Sequence, residues 1–229
     1  MTRDRTRSNG GNEPSIEIVE FSIVLVATAN NPSILTPDFL QYNEIVDPDW
    51  QVEGSPVSGP VFAQVSFEGG LTVTANQQRV IFEQKTGGKL VASEIAKRYF
   101  QQVPHVPYSG IGINPKFFLR STGEHLSLME SVVRDQGTWM SFKDVAPTVQ
   151  LKLIYSYKER TIFLDVAHIE PTIGDQTVSG MLFHANVHRD VEGPNAQARN
   201  KRIQSILDGW EDDLEDVRQL SKVLSGGIK

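Results

Sequence analysis

The stretch VQLKLIYSYKE, at residues 149–159, alternates apolar and polar side chains with a period of two. In an extended strand this spacing places all the apolar residues on one face. Two further segments of strand-forming residues follow, TIFLDVAHIE at 161–170 and MLFHANVHRD at 181–190. The short charged turn at 158–160 lets the second segment pair back on the first. Together the three segments predict an antiparallel β-meander.

An earlier part of the chain has the same outline. Its three segments are VFAQVSF at 61–67, LTVTA at 71–75 and RVIFEQ at 79–84. Turn-forming residues separate the three segments, and Gly69-Gly70 in particular favours a hairpin because glycine tolerates positive φ. We therefore expect a second three-stranded meander.

A helical pattern follows each meander, at 89–103 after the first and at 195–224 after the second. The strands are grouped rather than alternating with helices, which argues against a doubly wound parallel sheet. The predicted fold class is α+β, with two antiparallel meanders each followed by a helix and a long amphipathic helix at the C-terminus. The repeated order of strands and helices suggests that the chain consists of duplicated βββα halves, 15–120 and 121–229, within one domain of 15–229. The two halves share no evident residue identity.

The remaining segments add two strands, at 16–29 and 106–119, and a short helix at 121–137. The long, proline-containing connection at 30–60 has a helix start at Thr36-Pro37, with Thr36 as the N-cap and Pro37 at the first helical position. Acidic residues in this connection suggest a cation or sugar site. The Asp47-Pro48-Asp49 sequence more strongly indicates a turn, because an aspartate side chain bonds its own local backbone.

The amino-acid composition of the chain excludes several classes of protein and of binding site. The 229-residue chain has no cysteine, which excludes disulfides, thiolate metal sites and a cysteine nucleophile, and fits a cytoplasmic protein. Its net charge of −6 disfavours general nucleic-acid binding. No apolar run has the roughly 20 residues that cross a bilayer, so no membrane partner is expected. Residues 1–14 are polar and indicate a flexible tail. No glycine-rich fingerprint or other cofactor motif occurs, and no cofactor is predicted.

Two of the five histidines lie in FHANVH, at 183–188. In a strand, His184 and His188 share a face but are about 13 Å apart, too far for one metal ion, so no metal site is predicted. His184 could instead meet Asp165 of the neighbouring strand, which would orient the imidazole for acid–base chemistry. The simpler interpretation is an aspartate that faces the sheet edge and histidines on the solvent-exposed face of a half-exposed sheet.

The last helical segment carries an apolar stripe with a period of 3.5 residues, and acidic residues at 211–216 beside it. At ~1.5 Å per residue, a continuous helix over 195–224 is about 45 Å long. Because a small sheet does not cover such a length, part of the stripe is expected to contact another copy or a protein partner. The alternative is that the whole stripe packs against the second meander of the same chain. The predicted partner-binding residues are Leu207, Trp210, Leu214, Val217 and Leu224.

Three functions are therefore open. The first is a non-catalytic interaction or assembly protein, oligomeric through the C-terminal helix. The second is a hydrolase that uses Asp165 and His184, with His188 as a further candidate. The third is a small-ligand-binding regulatory module with an apolar pocket beside Tyr108, Gly110 and Gly112, where two glycines on one strand face indicate a bulky neighbour or a bend.

Overall fold

The computed structural model describes residues 16–85, 88–120, 149–173 and 175–225. Eleven strands occur in these ranges: β1 Ile16–Ala27, β2 Val52–Val57, β3 Phe62–Phe67, β4 Leu71–Asn76, β5 Arg79–Lys85, β6 Tyr108–Arg120, β7 Gln150–Ser156, β8 Thr161–Ile169, β9 Thr172–Ile173, β10 Gln176–Thr177 and β11 Gly180–Asp190. The helices are α1 Pro37–Tyr42, α2 Ala92–Gln102, α3 Ala196–Asp208 and α4 Trp210–Leu224, with a 3-10 turn at Pro32–Ile34. The predicted tail at 1–14 and the predicted helix at 121–137 lie outside the described residues.

Nine of the strands form one antiparallel sheet in the order β2-β3-β4-β5-β1-β6-β11-β8-β7. The α+β class and the antiparallel pairing are confirmed. The two predicted meanders, β3-β4-β5 and β7-β8-β11, are the outer parts of this single sheet, and β1 and β6 join them at its centre. The connection at 30–60 contributes an additional edge strand, β2. The sequence did not predict this strand because the region is rich in proline.

The core lies between one face of the sheet and the helices. A row of apolar side chains crosses eight strands on this face, each residue opposite the next: Val65, Val73, Phe82, Ile23, Ile113, Val187, Ile162 and Tyr155. All but Tyr155 are buried. The helices pack on this side, where Tyr99 of α2 lies 5.3 Å from Phe82 between ring centroids. We call this side the helix face.

Three local structures that the sequence predicted are present: a helix cap, an aspartate turn and a glycine hairpin. Thr36 accepts a hydrogen bond from the Phe39 backbone amide and caps α1, with Pro37 at its start. Asp47 accepts a bond from the Asp49 amide at 3.0 Å, which is turn chemistry. Gly69 and Gly70 both adopt positive φ in the β3–β4 hairpin.

The C-terminal segment is two helices rather than one continuous rod. Gly209 separates α3 from α4, because its backbone, with φ −99° and ψ 18°, departs from helical geometry. Directly after this break, Trp210 of α4 lies 5.0 Å from Phe21 of β1 between ring centroids. None of the helices in the described residues is long and apolar enough to span a membrane.

Candidate functional site

The other face of the sheet carries no helix among the described residues, and we call it the helix-free face. On each strand its side chains alternate with those of the helix face, as in β11, where His184 and Asn186 project away from the buried Phe183, Ala185 and Val187. Nearly all of its side chains keep some solvent exposure, from Phe62 at one side to Ser156 at the other. Nine strands at ~4.8 Å spacing make this surface about 38 Å wide.

A row of ionisable residues crosses the helix-free face, one from each of six adjacent strands. Pairwise registers place its members directly opposite one another in the order Lys85, Glu20, Lys116, His184, Asp165 and Lys152. Lys116 donates a hydrogen bond to Glu20, and the Lys152 ammonium lies 3.9 Å from an Asp165 carboxylate oxygen. The charges alternate in sign, with His184 between a lysine and an aspartate. We call these six residues the charged row.

His184 is the member of the charged row whose charge is most easily changed near neutral pH. Its half-burial lowers the pKa of the imidazole, the Lys116 ammonium lowers it further, and Asp165 and Glu20 oppose the change. His184 and Asp165 are thus brought together on one face, as the sequence suggested. No hydrogen bond joins them within the described part of the chain, and Asp165 is exposed, with 53% of its side chain accessible.

Amide groups lie next to the charged row at the centre of the face. Asn114 donates a hydrogen bond to Ser22 at 3.3 Å, while its Oδ1 is buried without a partner among the described residues. A Cβ atom at Gly112 would lie 3.4 Å from that oxygen and 3.6 Å from Oδ1 of Asn186. Two amide oxygens therefore approach the same glycine, one of them in need of a donor.

The glycines of β6 have bulky neighbours, as their spacing predicted. A Cβ atom at Gly110 would lie 2.9 Å from Cε1 of His188, so the glycine makes room for this ring. His188 also contacts Asp190 at 3.2 Å. An apolar pocket was expected here, but the nearest side chain to Gly110 is His188, and those nearest to Gly112 are Asn114 and Asn186. Tyr108 instead packs in the core, 5.6 Å from Phe100 between ring centroids.

A polar cavity of about 360 Å³ opens where the β7–β8 turn meets the end of β11. His188 and Asp190 form one wall, and Glu159 and Arg202, paired at 2.6 Å, line another part. The cavity is large enough for a small molecule. Its lining carries charged groups of both signs, among them the Glu159–Arg202 and His188–Asp190 pairs, and this mixture indicates no particular ligand class.

The predicted partner-binding residues contact the chain's own core. Leu207, Leu214 and Val217 are buried, and Trp210 and Leu224 are partly buried against the core. The acidic segment beside them is not wholly solvated either, because Asp213 is only 1% exposed.

Two arginines pair with the buried Asp213 carboxylate. Arg189 of β11 donates to it at 2.6 and 3.1 Å, and Arg160, next to the start of β8, donates to both Asp213 and Asp216. This ion cluster attaches α4 to the second meander, so the helix is held by the domain's own charges.

Four members of the charged row, namely Lys85, Glu20, Lys116 and Lys152, were not singled out from the sequence. The alternation of polar and apolar side chains within each strand does indicate that these four residues lie on the polar face of their strands. Their alignment depends on which strands pair, and β1 and β6 are far apart along the chain. The described residues contain no cluster of three or more side chains suited to a metal ion. No protein-family model matches this chain, and a search of curated proteins finds no significant match.

Proposed function

We propose that this chain is a non-catalytic interaction protein that binds a protein partner on its helix-free face. One observation carries the proposal: every described helix lies on the opposite face, leaving a broad polar surface crossed by the charged row. A partner with a complementary pattern of charges would gain orientation from this row.

The character of this surface supports a protein rather than a nucleic acid as the partner. The charged row alternates in sign, so it offers no continuous positive surface for a phosphate backbone. Exposed apolar side chains border the face at both ends, with Val57 and Phe62 at one side and Ile154 at the other. Mixed polar and apolar composition is typical of protein interfaces.

Site-specific photo-crosslinking in the source cells tests the proposal. A crosslinking residue at the exposed Asn186 is expected to give a discrete adduct, whereas one at the exposed Glu211 of α4 is not. Lys152→Glu should abolish the adduct, while the matched Lys222→Glu on α4 should preserve it. Absence of an adduct at Asn186, or an equal adduct from both faces, would contradict the proposal.

A hydrolase is a second candidate because the register sets His184 directly opposite Asp165 on an accessible face. The imidazole could act as a base oriented by the carboxylate. The test is turnover of chromogenic ester and phosphate substrates by the full chain and by His184→Gln. Activity that disappears in the variant would favour this candidate, and equal activity in both proteins would remove it.

We also infer that the chain arose by internal duplication. Along the helix-face row, Val65, Val73 and Ile23 correspond to Tyr155, Ile162 and Ile113, which lie 90, 89 and 90 positions later. Phe82 corresponds to Val187, 105 positions later. The longer spacing follows from the β8–β11 connection, which contains the additional β9–β10 hairpin.

This correspondence relates β1-β3-β4-β5-α2 to β6-β7-β8-β11-α3 about the central β1/β6 pair. It would place the boundary of the halves between α2 and β6, rather than at the 120/121 boundary suggested by the sequence. Co-expressed fragments 1–105 and 106–229 are expected to form a soluble one-to-one complex, because each retains a complete unit. Failure of the fragments to associate would argue against two such units.

A further inference from the structure

The two edges of the sheet differ in their suitability for pairing with another strand. At one edge, β2 pairs irregularly with β3, with a register shift between Glu53 and Val57, and it contains Gly54 and Pro56. Such interruptions protect an edge from further pairing. At the other edge, β7 pairs with β8 without interruption from Gln150 to Ser156 and contains neither glycine nor proline.

The hairpin that joins β7 to β8 shows which backbone groups of β7 point outward. The Tyr157 amide donates to the Arg160 carbonyl at 2.9 Å, so this pair is hydrogen-bonded. Hydrogen-bonded and non-hydrogen-bonded pairs alternate along an antiparallel ladder. The odd-numbered residues of β7 therefore bond inward to β8. The amides and carbonyls of Gln150, Lys152, Ile154 and Ser156 point away from the sheet.

We propose that the outer edge of β7 pairs antiparallel with β7 of a second copy of this chain, centred on Leu153. In this register all seven residues of the strand have a partner, and the outward-pointing residues form about eight backbone hydrogen bonds. Leu153 faces its own symmetry mate, and Leu151 faces Tyr155. These three side chains are only partly buried at present, because no described strand flanks them.

Charge is compatible with this register. The exposed Lys152 lies opposite Ile154 of the second copy rather than opposite its own equivalent, which avoids like-charge repulsion. Its ammonium also lies near Asp165 of its own sheet. The arrangement is isologous, as in most homodimers, and joins the two sheets edge to edge. It does not depend on the partner proposed for the helix-free face.

The absence of cysteine allows a direct test, because any introduced cysteine is unique. Residues that face each other in a non-hydrogen-bonded pair have Cα atoms about 4.5 Å apart, within reach of a disulfide. Leu153→Cys in the full chain is expected to form a disulfide-linked dimer under mild oxidation. Ser55→Cys, on the exposed β2 edge, is the control and is expected to remain monomeric.

Sedimentation equilibrium of two charge variants tests the register without removing a backbone hydrogen bond. Ile154→Glu places a carboxylate opposite Lys152 of the second copy and should tighten the dimer about tenfold relative to Ile154→Lys, which places two ammonium groups together. A chain that is monomeric at high concentration would overturn the proposal. So would a dimer that responds equally to both charges, or one that is crosslinked by Ser55→Cys and not by Leu153→Cys.

Discussion

Charged residues are in opposite environments on the two faces of the sheet. On the helix face, Asp213 is almost fully buried and two arginines bond it. On the helix-free face, Lys152 and Asp165 are separated by 3.9 Å, and each has more than half of its side chain exposed. A buried charge needs every one of its partners, whereas an exposed pair gains little from its one contact. The two faces should therefore respond very differently to mutation.

The largest effect is expected for Asp213→Ala. Removing this carboxylate leaves the guanidinium groups of Arg160 and Arg189 partly buried without their main partner, and should lower the free energy of unfolding by about 3–5 kcal/mol. Chemical denaturation measures the change. Asp212→Ala is the matched control, because Asp212 is its exposed neighbour in the first turn of α4. Equal effects of the two substitutions would show that the ion cluster does not stabilise the fold.

The two faces of the sheet also differ in how far local sequence patterns predict them. Alternation in β7 and β11 correctly identified which residues share a face, and the sequence offered the Asp165–His184 contact only as an alternative. The stripe containing Leu214 and Val217 was correctly identified as apolar. Its predicted contact with a partner, however, assumed that only one three-stranded meander was available to cover it. The sheet is nine strands wide because β1 pairs with β6, and two helices separated at Gly209 can be covered within such a domain.

Cross-strand register was the information that the sequence lacked. Lys116 meets Glu20 and His184 only because β6 pairs with β1 on one side and β11 on the other. The buried position of Asp213 was also hidden, since its arginine partners lie far away in the chain. Both features depend on contacts between distant segments, which local periodicity does not encode.

An intermediate effect is expected for Gly110→Ala, on the helix-free face. The new methyl group would lie 2.9 Å from the His188 ring and 3.3 Å from the Arg189 carbonyl oxygen, so both must shift. Overpacking of this kind should cost about 1–3 kcal/mol of unfolding free energy. The double variant Gly110→Ala, His188→Ala should recover part of that loss in a thermal or denaturant melt. A double variant that is as unstable as the sum of the single ones would show that the ring is not the obstacle.

A small effect is expected for Lys152→Ala. The Lys152–Asp165 pair is exposed and long, so its loss should change the free energy of unfolding by less than about 0.5 kcal/mol. A double-mutant cycle with Asp165→Ala isolates the pair. A coupling energy comparable to that of the Asp213 cluster would remove the distinction between the two faces.

The smallest effect concerns pH and His184, which Lys116, Asp165 and Glu20 surround on the helix-free face. Partial burial and the Lys116 ammonium lower the pKa of His184 from its ordinary value of 6.5. As the pH falls through that value, the unfolded chain takes up a proton before the folded one does. Stability is therefore lost on acidification through this window, and the loss is complete once the pH is below the lowered pKa of the folded state.

His184→Gln should reduce this loss, which melting temperatures between pH 7 and pH 5 would measure. His105→Gln provides the control, because His105 is exposed between α2 and β6 and is not a member of the charged row. Lys116→Met should raise the pKa of His184, which a histidine NMR titration reports directly. An unchanged titration in that variant would show that burial alone governs the imidazole, and that the charged row is not electrostatically coupled at its centre.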